Sequence, residues 1–140
     1  LKSKLFFMKK LMLSITLILS VFVFVNAQTE SGPTIKWEGT TVDYGTITQG
    51  DNGSREFEFT NTGNAPLIIS NATGSCGCTV PQWPKEPILP GQKSTIKVHY
   101  DTNRLGSFTK TVTVVSNAAN NTDVLQIKGN VLAKETSTPE

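Results

Sequence analysis

The chain has 140 residues, with 13 Lys and Arg against 11 Asp and Glu and a formal net charge of +2. Four of the basic residues precede residue 28, so the rest of the chain has 9 basic and 11 acidic residues. That balance, without a basic patch interleaved with aromatic side chains, excludes the electrostatic footprint of a nucleic-acid-binding protein. The remaining ~113 residues are enough for one domain that folds without help from a metal ion or a disulfide.

The N-terminal segment has the pattern of a signal peptide. Two lysines follow Met8, the apolar run Leu11–Val25 comes next, and Val25-Asn26-Ala27 is a small-residue cleavage site. The run is shorter than the ~20 apolar residues of a membrane-spanning helix, so cleavage is favoured over the alternative of an uncleaved anchor. We therefore predict that residues 1–27, an N-terminal extension plus a signal peptide, are removed. The protein is then exported to the periplasm, cell envelope or extracellular space, without a stable membrane span.

About seven short segments downstream alternate apolar and polar residues in the way that half-buried strands do. In Arg55–Thr60, for example, two phenylalanines alternate with two glutamates. The predicted strands are Thr34–Glu38, Thr41–Ile47, Arg55–Thr60, Leu67–Ser70, Ser94–Tyr100, Phe108–Val115 and Val124–Val131. Turn residues separate them, so the sequence predicts an all-β fold, an immunoglobulin-like antiparallel β-sandwich over residues 28–133. A small closed barrel is the alternative, and residues 134–140 are a polar tail.

The stretch Gly74–Gly91, GSCGCTVPQWPKEPILPG, contains both cysteines of the chain. In an extended strand the side chains of Cys76 and Cys78 point the same way, about 7 Å apart. That separation is too large for a disulfide unless Gly77 lets the backbone tighten. Loop-closure entropy predicts that a disulfide closing so small a ring stabilises the fold by only about 1.6 kcal/mol. Stabilisation of the fold is therefore a poor explanation for the pair.

Three interpretations of Cys76 and Cys78 are open from the sequence. They are packed residues of a structural loop, oxidised together or left free. Alternatively they perform thiol-redox exchange, which needs a cation nearby, and Lys85 is the candidate. The third interpretation is a soft metal ion, Cu(I) or Zn(II). A closed zinc site takes four protein ligands, and His99, the only histidine, falls on the polar face of its strand. We therefore expect no cofactor, with a soft metal ion as the alternative.

Trp83 stands between Pro81 and Pro84, which hold the segment extended. It either packs at the edge of the sandwich near the cysteines or offers an aromatic surface to a partner, as in carbohydrate binding. The chain has no Gly-x-Ser-x-Gly elbow, no phosphate loop and no metal-binding helix motif, so we predict that it is not an enzyme.

Several motifs recur in one known family. They are Phe57-Glu58-Phe59-Thr60-Asn61-Thr62-Gly63, Ser75-Cys76-Gly77-Cys78-Thr79, Val80-Pro81, Leu89-Pro90-Gly91, Ile96-Lys97-Val98, Asp101-Thr102 and Ile127-Lys128-Gly129-Asn130-Val131. Together they resemble the bacterial family known as domain of unknown function 1573. The resemblance covers about residues 35–132 and implies an exported immunoglobulin-like interaction domain, with Cys76 and Cys78 at signature positions. It implies no activity, ligand or particular partner.

We therefore expect an exported, non-catalytic module with a structural or protein-interaction role and an unknown protein or cell-envelope partner. Thiol-redox chemistry or soft-metal handling through Cys76-Gly77-Cys78 is one alternative. Carbohydrate binding through Trp83 is another.

Overall fold

A computed structural model gives the structure of the protein and describes Lys4 and residues 32–135. The predicted signal peptide, its cleavage site at Ala27 and residues 136–140 of the tail lie outside the described residues. Within the described part, no helix is long and apolar enough to cross a membrane. The strands are β1 (Ile35–Trp37), β2 (Thr41–Thr48), β3 (Ser54–Asn61), β4 (Ile69–Gly74), β5 (Thr79–Gln82), β6 (Lys93–Tyr100), β7 (Gly106–Ser116) and β8 (Thr122–Leu132).

These strands form two sheets of four strands each. The first sheet has the order β1-β3-β6-β5, and the second has the order β2-β8-β7-β4. Neighbours are antiparallel with one exception, because β2 runs parallel to β8. The prediction of an all-β, immunoglobulin-like sandwich is confirmed, and the number of strands is close to the predicted seven.

Two strands differ from the sequence prediction. The segment predicted at Leu67–Ser70 forms β4 slightly later, at Ile69–Gly74, while Leu67 makes an isolated bridge to Ile88. The additional strand β5 lies inside the stretch that was predicted as a loop. It contains Pro81, which interrupts most strands but is tolerated at a sheet edge where the missing N–H would have faced outward.

Alternate side chains from both sheets fill the space between them. The fully buried side chains include the predicted inward residues of four strands, Phe57, Phe59, Ile96, Val98, Val112, Val114, Leu125 and Ile127. At one end of this core, the rings of Tyr100 and Phe108 stack at 3.8 Å between centroids, and Tyr44 packs edge-on against Phe108. Burial raises the pKa of the Tyr44 phenol, which donates a hydrogen bond to the carbonyl of Gly53. The core is therefore mostly apolar, and the phenol of Tyr44 is hydrogen-bonded at this end.

Asn61 is the polar residue on which the turn after β3 depends. Its side chain is 0% exposed. Its amide donates to the carbonyls of Ala65 (2.8 Å) and Ile88 (2.9 Å), and its side-chain oxygen accepts from the N–H of Gly63 (3.0 Å). Because the bond to Ile88 crosses from the turn to the Pro-rich segment, Asn61 holds the two segments together.

The cysteine side of the sandwich consists of the edge strands β4 and β5 and the turn Ser75–Cys78 that connects them. The strand β4 is an edge of the second sheet, and β5 is an edge of the first. The opposite edges are β1 and β2, which follow each other in the chain. The chain therefore crosses from one sheet to the other through the cysteine turn.

Candidate functional site

The cysteine turn, Ser75–Cys78, is held by backbone hydrogen bonds as well as by covalent chemistry. The N–H of Thr79 donates to the carbonyl of Cys76 at 3.2 Å, which closes a tight turn. The N–H of Asp101, just after β6, donates to the carbonyl of Cys78 at 2.9 Å. These two bonds tie the turn to itself and to the first sheet, so its course does not depend on the sulfur atoms alone.

Gly74 is required by the close approach of β4 and β5. A Cβ atom at this position would collide with the backbone carbonyl oxygen of Thr79. Gly77 differs, because a Cβ atom there would meet nothing within 4 Å, and its φ lies outside the left-handed region. The turn between the two cysteines therefore does not need a glycine at position 77, whereas the close approach of β4 and β5 needs one at position 74.

Cys76 and Cys78 are joined by a disulfide, with their Cα atoms 5.2 Å apart. That Cα separation falls within the usual range for disulfides and is shorter than the distance expected for a fully extended strand. The two residues differ in exposure: Cys76 is partly buried at the margin of the core, whereas Cys78 is 5% exposed and belongs to the core. A reagent approaching from solvent therefore meets Cys76 first.

The hydroxyl of Thr79 contacts both sulfurs. Its Oγ1 lies 3.6 Å from Sγ of Cys76 and 3.8 Å from Sγ of Cys78, and the residue is 2% exposed. Because a disulfide sulfur carries no hydrogen, the hydroxyl is the donor in both contacts. A buried donor is thus already placed where a thiolate would form if the disulfide were opened. Sequence reasoning missed Thr79, since only the fold shows that its side chain turns inward.

Charged residues lie on the elements that adjoin the cysteine turn. The β4–β7 register ends with Gly74 opposite Val112, and the N–H of Ser75 donates to the carbonyl of Thr111, the neighbour of Lys110 in β7. Lys85, the cation expected from the sequence, instead holds its Nζ 3.3 Å from the ring centroid of Trp83. On the third element, hydrogen bonds from Asn103 lower the pKa of Asp101, whose carboxylate also pairs with Arg104.

Trp83 is partly buried and packs against the core. The ammonium of Lys85 lies over its ring, and the indole Nε1 is buried without a hydrogen-bond partner among the described residues. The cation–π contact occupies ring surface that a sugar would need for stacking. Contact of Trp83 with a partner or a carbohydrate stays a prediction.

His99 and the acidic residues do not assemble around the sulfurs. Nδ1 of His99 lies 3.1 Å from Oγ of Ser54 on the exposed face of the first sheet, a pairing that the sequence pattern did not reveal. No carboxylate forms an ion pair with His99 in the part of the chain that the structure describes. Among residues 32–135 there is also no group of three or more His, Cys, Asp or Glu side chains that could hold a metal ion. Soft-metal binding by Cys76 and Cys78 requires opening of the disulfide and stays a prediction.

The two packed sheets and their connections define an immunoglobulin-like, PapD-like β-sandwich domain. The chain belongs to the family described as "Protein of unknown function (DUF1573)", whose model matches residues 35–131. The resemblance stated from the sequence motifs is thereby confirmed. No functionally curated protein sequence matches the chain.

Solved structures share the fold at identities too low to show more than the fold. A protein of unknown function from Porphyromonas gingivalis W83 has a TM-score of 0.63 and 15% identity over 77% of this chain and 51% of that one. This chain thus spans about half the length of that protein. PapD-like domain 7 of human CEP192 has a TM-score of 0.61 and 9% identity, over 74% of this chain and 89% of that chain. The periplasmic chaperone SfaE has a TM-score of 0.51 and 14% identity, over 76% and 61% of the two chains.

Proposed function

We propose that the protein is an exported, non-catalytic interaction module that binds an extended segment of a protein partner by strand addition to the β4 edge. The observation that carries this proposal is the lack of charged residues on the edge strands β4 and β5. Residues 59–84, which include β4 and β5, contain no Lys, Arg, Asp or Glu. The opposite edges carry Lys36 on β1 and Asp43 on β2. Charges on edge strands normally prevent pairing with other chains, so an uncharged side favours it.

Of the two uncharged edges, β4 is the one that can accept a strand. In β5, the N–H of Asp101 donates to the carbonyl of Cys78. Because hydrogen-bonded and non-hydrogen-bonded pairs alternate along antiparallel strands, Val80 makes the next bonds to β6, and the backbone nitrogen and carbonyl of Pro81 point away from β6. Pro81 has no N–H, so the free edge of β5 lacks a donor there. In β4, the N–H of Ser75 donates to the carbonyl of Thr111 on β7. By the same alternation, the backbone N–H and C=O of Ala72 point away from β7, toward the free edge of the sheet.

Fold likeness supports an interaction role without identifying the partner. SfaE is described as a periplasmic chaperone, and the structure of CsuC with CsuE is described as a chaperone–adhesion subunit pre-assembly complex. Sandwiches of this class present exposed strands, and main-chain pairing at an exposed sheet edge is a general mode of peptide recognition. Export is supported by the signal-peptide pattern that ends at Ala27.

Site-specific photo-crosslinking in the native cell tests the partner surface. A photoreactive residue at exposed Thr73 on β4 is compared with one at exposed Thr41 on the β2 edge. The proposal predicts a discrete crosslinked protein from the Thr73 position that is lost when Asn71→Lys adds a charge to β4. The same products from both positions, no product from Thr73, or a product unaffected by Asn71→Lys contradicts the proposal.

Export is tested separately by fractionating the cell and measuring the mass of the mature protein. The predicted result is a protein in the envelope or outside the cell that begins at Gln28. A protein retained in the cytoplasm with residues 1–27 attached contradicts the export part of the proposal and leaves the strand-addition test unchanged.

A further inference from the structure

We infer that the Cys76–Cys78 disulfide is a thiol–disulfide exchange site for a protein dithiol, with Cys76 as the attacked sulfur and Cys78 as the leaving group. This inference does not depend on strand addition at β4. It rests on three features of the cysteine turn: the unequal exposure of the two cysteine residues, the buried Thr79 hydroxyl near both sulfurs, and backbone bonds that hold the turn without the disulfide.

The accessibility of the sulfurs determines where a thiolate attacks. Exchange proceeds by in-line attack of a thiolate on one sulfur, so it depends on access to that atom. Cys76 is partly exposed, whereas Cys78 is 5% exposed. The incoming sulfur therefore bonds to Cys76, and the bond between Cys76 and Cys78 breaks.

The electron pair of the broken bond remains on Sγ of Cys78. A buried thiolate is costly unless a donor compensates for the lost water. The Thr79 hydroxyl, 3.8 Å from this sulfur and 2% exposed, is that donor. The Cys78 thiolate then takes a proton from water. Hydrogen bonds to a charged acceptor are about twice as strong as neutral ones, so this contact is stronger in the opened state than in the disulfide.

The second thiol of the partner completes the reaction. Its thiolate attacks the partner sulfur of the mixed disulfide, and the electron pair returns to Cys76, which is protonated by water. The partner dithiol is oxidised to a disulfide by two electrons, and the Cys76–Cys78 disulfide is reduced to two thiols. The chain is thus the oxidant in this direction and the reductant in the reverse direction.

The turn retains its course when the sulfurs separate. The N–H of Ser75 donates to the carbonyl of Thr111 at 2.9 Å, and the N–H of Thr111 donates to the Ser75 hydroxyl at 3.2 Å. The bonds at Cys76 and Cys78 carbonyls described above hold the other half of the turn. The loop that the disulfide closes is only three residues long, so the bond constrains the chain little. Exchange therefore proceeds in the folded domain.

The nearest lysine along β7 favours an anionic attacker. The last backbone bond between the turn and β7 joins Ser75 to Thr111, and Lys110 is the neighbour of Thr111 in the chain. Lys85 lies on Trp83, and the Asp101 carboxylate accepts bonds from Asn103 and pairs with Arg104. The strand β4 itself carries no charged residue. Lys110 is thus the cation next to the last bond between β7 and the turn.

The regiochemistry of a trapped mixed disulfide tests the inference on the unmodified protein. The folded, oxidised protein is treated with reduced glutathione, quenched with acid, alkylated and sequenced by tandem mass spectrometry. The expected result is glutathione on Cys76 in excess over Cys78 by about tenfold, since access governs attack. Equal labelling, labelling mainly on Cys78, or labelling only after the protein is unfolded overturns the inference.

A pair of threonine variants tests the leaving group. In a Cys76→Ser background, the alkylation rate of Cys78 is followed against pH with and without Thr79→Val. Losing the hydroxyl donor is expected to raise the thiol pKa and slow alkylation at neutral pH about tenfold. Thr102→Val is the matched control, because the buried Thr102 hydroxyl donates to the carbonyl of Asp51. An equal effect of both variants, or no effect of Thr79→Val, overturns the role of Thr79.

Discussion

Reduction of the Cys76–Cys78 disulfide is expected to weaken the domain only slightly. The bond spans a sequence separation of 2. Loop-closure entropy for so short a ring contributes at most about 1.6 kcal/mol to the free energy of unfolding. For a domain of this size, that loss lowers the melting temperature by about 5–10 °C. Urea and thermal unfolding of the same protein with and without a phosphine reductant, followed by circular dichroism, measures both quantities.

The matched control for this experiment is the Cys76→Ala, Cys78→Ala double variant, whose unfolding midpoint should not respond to the reductant. A single cooperative transition with an unchanged urea slope is expected in both redox states. A loss of about 4 kcal/mol or more on reduction, the size produced by disulfides that close long loops, would refute the argument. The disulfide would then be a cross-link that contributes substantially to the stability of the domain.

Three further predictions follow from charge, space and ionisation. Lys110→Gln should slow reduction by anionic glutathione by about 2- to 5-fold at low ionic strength, whereas Lys85→Gln should leave the rate unchanged; equal rates in the two variants contradict the role of Lys110. Gly74→Ala should lower the free energy of unfolding by about 1–3 kcal/mol, because the added Cβ collides with a backbone carbonyl. Gly77→Ala should change it by no more than about 0.5 kcal/mol, and denaturant titration of both variants measures the difference. Burial raises the pKa of Tyr44, so this tyrosine ionises at a lower pH in the unfolded chain than in the folded domain. The domain should therefore keep its full free energy of unfolding below pH ~10 and lose part of it as the pH rises further. Tyr44→Phe should make this decline at alkaline pH shallower when denaturant unfolding midpoints are measured against pH. A decline as steep as that of the unsubstituted protein would contradict the prediction.

Much of the fold could be predicted from alternation and turn chemistry. Phe57 and Phe59 alternate with glutamates and are buried, as the period of two requires. The pattern could not reveal β5, because Val80 is 50% exposed and the next residue is a proline. It also could not reveal that β2 pairs in parallel with β8, since a strand in either orientation shows the same alternation.

The candidate site was only partly visible in the sequence. The spacing of Cys76 and Cys78 drew attention to the turn, but which sulfur is buried depends on packing between the sheets. The Thr79 hydroxyl acquires its role from the same packing. The sequence pointed to Lys85 because it is near in the chain, whereas Lys85 lies on Trp83 and Lys110 adjoins the β7 residue that bonds to Ser75. Neighbours along the chain were thus a poor guide to neighbours across strands.

The most direct test of an exchangeable pair is the oxidation state of the protein as the cell makes it. Protein purified from its native compartment is alkylated at once, with and without prior treatment by a mild thiol, and its intact mass is measured under native and denaturing conditions. The account predicts a mass two protons below the dithiol form, with two alkylations appearing only after the mild thiol. Two thiols already free before reduction, a retained metal mass, or a disulfide that opens only on denaturation would contradict it.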